Sequence, residues 1–212
     1  MNELLLQLAV TAPVLLFSMT FHEVSHGYMA YRLGDKTAKN LKRLSLNPLQ
    51  HLDPLGTLML AATFLFSGGR MLFGWAKPVP VNPGNFKSHQ YGMMWVGMAG
   101  PAANLLLAML AALALNVFYP NFGEGLMPMA IFRIFQLNVI LMIFNLIPVP
   151  PLDGSRIVGA LLPPRAYIKW LQLDRYGMLF VMVLLIVLLN SGSGLSSVID
   201  PIYQLFLPSY GF

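Results

Sequence analysis

The sequence contains no cysteine. Disulfides, zinc–thiolate sites and thiol nucleophiles are therefore excluded, and any metal must be held by nitrogen and oxygen ligands from His, Asp and Glu. Charge is scarce as well: Asp, Glu, Lys and Arg make up 10% of the 212 residues, where a soluble domain has about a quarter. Hydrophobic residues reach 57% and the mean hydropathy is +0.65. These values exclude a disordered chain and an ordinary soluble fold, and leave an integral membrane protein in a lipid bilayer. The net charge of +5 comes from 13 Lys and Arg against 8 Asp and Glu. In a membrane protein such an excess marks cytoplasmic loops, and without interleaved aromatic and basic residues it implies no nucleic acid.

The first apolar run, about Leu4 to Tyr31, would measure about 42 Å as a helix, longer than a hydrocarbon core of about 30 Å. It opens with Glu3 and continues into polar residues, unlike a signal peptide with its positive start and small-residue cleavage site, so we expect it to be retained. Arg32, Lys36, Lys39, Lys42 and Arg43 follow and mark the cytoplasmic side. Further apolar runs lie near Leu55 to Phe66, Met93 to Phe118, Leu126 to Ile147, Met178 to Leu189 and, weakly, Leu195 to Leu207. The first of these is too short to cross. If it dips in and returns, Arg70, Lys77, Lys87, Arg156, Arg165, Lys169 and Arg175 join the inside and only Arg133 lies outside; a full crossing would split the charges almost evenly. The positive-inside rule prefers the re-entrant form. Between Phe73 and Pro83, three prolines forbid helix and favour an extended, edge-strand-like stretch. The expected fold is an all-α polytopic membrane protein with about four to six transmembrane helices, a re-entrant segment and a short extended or β stretch. No repeat or long polar linker divides it, so residues 1–212 form a single membrane-embedded domain. Nothing in the sequence sets the oligomeric state.

His22-Glu23-Val24-Ser25-His26 is an H-E-x-x-H sequence inside the first helix. Two imidazoles four residues apart share a helical face and can reach one metal, while Glu23 projects beside them as a general base for bound water. Ionisable groups inside a membrane helix are costly, and a divalent cation offsets that cost; the bland alternative is a pair of histidines bonding across helices. A catalytic zinc takes three protein ligands, so a third donor is needed. Among the eight acidic residues, Glu3, Glu124 and Asp200 fall at outer or unplaced ends, and Asp35, Asp53 and Asp174 in charged or turn-like cytoplasmic stretches. Asp153 remains, in Asn145-Leu-Ile-Pro-Val-Pro-Pro-Leu-Asp-Gly154, where Pro148, Pro150 and Pro151 break a helix descending to the same side. His51 and His89 lack ligand-like neighbours, and a surface or capping role is expected for both.

The H-E-x-x-H helix, the Asn145 to Gly154 segment ending in Leu-Asp-Gly, and the Gly100-Pro-Ala-Ala-Asn104 step between them resemble the site-2 protease family of intramembrane zinc metalloproteases. The stretch Phe-Gly-Trp-Ala-Lys-Pro-Val-Pro-Val-Asn resembles its compact prokaryotic branch, without PDZ or CBS domains. The resemblance implies one Zn2+ per chain on His22, His26 and Asp153, with Glu23 as general base. The activity implied is hydrolysis of peptide bonds within or near transmembrane segments of membrane-protein substrates, in a prokaryotic inner membrane with the site towards the cytoplasm. Asn145 is either a catalytic helper that contacts substrate or the developing oxyanion, or a cap for freed backbone groups. Asn104, beside Gly100 and Ala103, is expected to serve close helix packing. The extended stretch from Trp75 to Val81 is expected to capture unwound substrate as an added strand. The competing function is a metal transporter or sensor built on the same His/His/Asp site.

Overall fold

The computed structural model describes residues 3–66, 74–119, 125–190 and 196–207. Arg70, Phe73, Glu124 and Leu195, used in the reading above, lie outside these residues. The described chain is helical: α1 (Glu3–Arg32), α2 (Thr37–Asn40), α3 (Pro54–Phe66), α4 (His89–Phe118), α5 (Leu126–Leu146), α6 (Asp153–Leu161), α7 (Pro164–Leu171), α8 (Gly177–Asn190) and α9 (Ser196–Phe206). Of the crossings expected, α1, α4 and α5 have the length and apolarity to span a bilayer. Among the described residues, helices α8 and α9 have 14 and 11 residues, short of the roughly 20 that a crossing takes.

The three long helices pack together because α4 is small on its inner face and large on its outer one. It buries Gly97, Gly100, Ala103, Ala108, Ala111 and Ala112. It exposes Leu105, Leu106, Met109, Leu110, Leu113 and Val117. Lipid tails are as apolar as leucine, so close backbone approach drives association in a membrane, and small residues permit it. At one end, Ala108, Ala111, Ala112 and Leu115 of α4 meet Phe135 and Val139 of α5 and Ile199, Tyr203 and Leu207 in and after α9. The Phe135 and Tyr203 rings lie 5.2 Å apart, and Asn116 Nδ2 donates to the Phe206 carbonyl at 2.8 Å.

Gly74 lies beside the base of α3. Helix α3 leaves from Pro54, and by Gly74 the chain is back beside α3's first turns: a β-carbon on Gly74 would lie 2.5 Å from the Gly56 carbonyl oxygen. The extended stretch then makes an isolated antiparallel bridge, Leu52 to Ala76, and no sheet forms among the described residues.

Candidate metal centre

His22 and His26 lie on successive turns of α1, and both are buried. Helix α4 receives them at Gly100, where a β-carbon would stand 2.5 Å from Cε1 of both rings and from His26 Nε2. Only glycine leaves room for two imidazoles there.

Asp153 arrives from the other side. Helix α5 ends at Leu146, and short turns cross the proline break, with Val149 N–H donating to the Ile147 carbonyl at 2.8 Å and Leu152 N–H to Val149 at 2.9 Å. Helix α6 begins at Asp153 itself. Gly154 seats α6 on the last turn of α5, because a β-carbon there would lie 2.2 Å from the Leu146 carbonyl oxygen. The far end of α6 is held to α4 by Gln90 Nε2, which donates to the Gly159, Ala160 and Leu162 carbonyls.

These elements bring three donor atoms together. His22 Nε2 and His26 Nε2 are 2.9 Å apart, and each is 3.2 Å from Asp153 Oδ2. Proton placement makes the cluster informative. His26 Nδ1 lies 2.7 Å from the Val96 carbonyl, which can only accept, so this nitrogen carries the proton. His22 Nδ1 donates to the side-chain oxygen of Asn104. With Nδ1 protonated, each ring directs its Nε2 at the carboxylate. Asp153 Oδ2 is buried, with these two nitrogens 3.2 Å away. A positive charge must sit among the three atoms; a proton satisfies two of them at a time, a metal ion all three. Tetrahedral coordination with bonds of about 2.0–2.1 Å places donors about 3.3 Å apart, close to the spacing here. No other group of three His, Asp or Glu among the described residues has this spacing.

Glu23 stands on the same turn as His22, and its Oε2 accepts from the Val79 backbone N–H at 2.9 Å. Val79 is buried against α1 at Gly27, where a β-carbon would come within 2.6 Å of its Cγ1. The extended stretch thus aims the Glu23 carboxylate, a role outside the sequence reading. Within the stretch expected to add a substrate strand, Trp75 to Val81, one edge is engaged inside the protein. Lys77 N–H donates to the His51 carbonyl at 2.8 Å, Val79 N–H to Glu23 and Asn82 N–H to Asp35 at 2.7 Å. An extended chain alternates its edges, so residues 76, 78 and 80 face the other way, and Pro78 and Pro80 have no N–H to offer.

Asp35 anchors this stretch. It is buried and accepts from Thr37 N and Oγ1, Asn82 N and Asn85 Nδ2. Burial pushes its carboxyl up, but the hydrogen bonds, led by the Thr37 hydroxyl, outweigh this and hold it below the usual carboxylate range. Asp35 is therefore a structural residue rather than part of a solvated loop. His51 is likewise buried, its Nε2 donating to the Ser45 carbonyl at 2.8 Å, which corrects the surface role. His89 Nδ1 lies 3.1 Å from the Tyr167 hydroxyl.

Asn145 Nδ2 donates to the Leu141 carbonyl of its own helix at 2.9 Å, and no hydrogen bond joins it to the three donors among the described residues. Asn104 does more than the packing expected of it, since it is fully buried and bonded to His22. Asn138 and Ser18, also fully buried, join Asn104 in one network and were absent from the sequence reading. A lone asparagine in the middle of an apolar helix was the available signal for Asn138.

The model of peptidase family M50 matches residues 121–189, a span that includes Asp153. The proposed zinc metalloprotease YwhC of Bacillus subtilis strain 168 is 42% identical over 183 residues, covering 84% of this chain and 80% of that protein. The proposed zinc metalloprotease Rip2 of Mycolicibacterium smegmatis is 32% identical over 171 residues, covering 81% of this chain and 64% of the relative. Rip2 of Mycobacterium tuberculosis strain H37Rv is 29% identical over 174 residues, 80% of this chain and 63% of its own. No solved structure matches. With the motifs, the membrane helices and a relative of this identity and coverage in agreement, the chain belongs to peptidase family M50, the site-2 protease family of metalloproteases.

Proposed function

We propose that this protein is an intramembrane zinc endoprotease that hydrolyses peptide bonds within or near transmembrane segments of membrane-protein substrates. The observation that carries the reading is the meeting of two imidazole nitrogens and one carboxylate oxygen at 2.9–3.2 Å. His22, His26 and Asp153 would hold one zinc ion, which fits a donor set of nitrogen and oxygen with no thiolate. When bound, zinc supplies an acidified water and electrostatic stabilisation of the oxyanion.

Glu23 accepts the proton from the attacking water and returns it to the departing amine nitrogen. Val79 N–H holds one carboxylate oxygen, so the other is directed without a search over rotamers. Asn145 is the helper in this reading: the amide hydrogen not given to Leu141 would donate to substrate or to the developing oxyanion. His26 and His22 lie about 9 and 15 Å along the helix axis from Arg32. With Arg32, Lys36, Lys39, Lys42 and Arg43 in the cytoplasm, the chemistry takes place inside the cytoplasmic leaflet of a cell membrane.

The test is to purify the protein, measure zinc stoichiometry, and assay cleavage of a single-pass membrane substrate by wild type and Glu23→Gln. Retained zinc with cleavage reduced by about 10²–10⁴ supports the reading. A variant that works as well as wild type sinks it, and favours a metal transporter or sensor.

A further inference from the structure

The Asn104 and Asn138 network has a direction, and the direction ends on a metal ligand. Asn138 Nδ2 donates to the Ile134 backbone carbonyl at 2.8 Å and to Ser18 Oγ at 2.8 Å. A carbonyl can only accept, so the atom facing it must be the nitrogen, and the orientation of this amide is set by the backbone of α5. Asn138 Oδ1 then faces Asn104 and accepts from its Nδ2 at 2.7 Å. With the nitrogen of Asn104 committed, its oxygen faces His22 Nδ1 and must receive a proton from it. Flipping any one amide would oppose two donors or two acceptors in a fully buried site, so the chain reads only one way.

We infer that Asn138 and Asn104 are positioning residues that fix His22 in the Nδ1–H tautomer, leaving Nε2 bare for a cation. His26 reaches the same state in one step, through Val96; His22 takes three, from the Ile134 carbonyl of α5 through Asn138 and Asn104. The network also links α1, α4 and α5 through Ser18, Asn104 and Asn138, so ring orientation and helix packing are set together. Partners that orient metal-bound imidazoles commonly change metal affinity by 10–100-fold when removed. The inference rests on the zinc-site reading above, but ring tautomer can be measured without metal.

The experiment uses the full-length protein in detergent with histidine ring nitrogens labelled with 15N. In metal-free wild type, the His22 signals of the neutral ring, recognised by their 15N shifts, should show a single Nδ1–H tautomer; in Asn104→Leu and Asn138→Leu they should show a mixture. Zinc affinity by competition with a chromophoric chelator should fall about 10–100-fold in Asn104→Leu and about tenfold in Asn138→Leu. Ser18→Ala should keep both readouts, since Ile134 still anchors Asn138. Asn138→Asp, neutral when buried, still accepts from Asn104 and should stay within about threefold of wild type in affinity, the range of context scatter rather than of a lost partner. Should Asn138→Leu fail to fold, Asn138→Asp decides: a folded protein with mixed tautomers overturns the inference. So does Asn138→Leu with wild-type tautomer and affinity. If wild type itself binds no zinc, the metal reading fails, while the ring spectra still test the hydrogen-bond chain.

Discussion

His22 Nε2 and His26 Nε2 stand 2.9 Å apart, each ring held by a hydrogen bond at its opposite nitrogen. Two lone pairs at that distance, with a carboxylate oxygen 3.2 Å from both, make a repulsive arrangement in the absence of a cation. The fold therefore stores an affinity for positive charge at the junction of α1, α4 and α6.

Removing that charge should be felt globally. Chelation should lower the thermal unfolding midpoint, and zinc should restore it. At free zinc a thousandfold above its dissociation constant the difference is about 4 kcal/mol, on the order of 10 °C for a chain of this size. Equal midpoints with and without chelator would argue that the trio holds no metal in the folded protein.

Gly100→Ala should damage the centre without touching a ligand. Its β-carbon would overlap both rings at 2.5 Å. Overpacking of this kind costs about 1–3 kcal/mol, so zinc affinity should drop about ten- to a hundredfold. Isothermal titration would show it, and unchanged affinity would mean that α1 and α4 separate more easily than their packing indicates.

Val79→Pro removes the N–H that holds Glu23 and nothing that holds the metal donors. Zinc affinity should match wild type while kcat falls about ten- to a hundredfold, the scale of a misplaced catalytic group. Parallel loss of zinc and turnover would place Val79 in scaffold stability instead.

Asp35 gives a pH signature. Its folded carboxyl titrates below the usual range, so its contribution is complete above the unfolded value of about 3.9 and is lost as pH falls through the lower, folded value. Asp35→Asn leaves donors facing donors and should cost about 1–3 kcal/mol at pH 7. The gap between variant and wild type should narrow in acid, as followed by thermal unfolding from pH 7 to pH 3. A gap independent of pH would mean that shape at this position matters and charge does not.

Much of this protein was legible in one dimension. Composition alone required a bilayer, because 57% hydrophobic residues cannot be hidden in a chain of 212. His22 and His26 were legible because helical periodicity is local: a spacing of four puts two rings on one face wherever the helix goes. Asp153 followed from elimination and from the prolines that must break a helix beside it. Charge counting led to the expectation of a re-entrant α3, and Gly74 lies beside the first turn of that helix.

The partners of those residues were not legible, because the side chain opposite a given atom depends on how helices far apart in sequence approach each other. Asn104 lies 82 positions from His22, and Val79 lies 56 from Glu23. As letters, Asn104 suggested close packing and Trp75 to Val81 a free edge; packing turned the first into a hydrogen-bond acceptor for His22 and spent one edge of the second on His51 and Glu23. Local period and composition settle which groups must be buried in the membrane. Where each buried proton points is settled by three-dimensional contact, since a donor in hydrocarbon must find an acceptor and only the assembled helices determine which one is in reach.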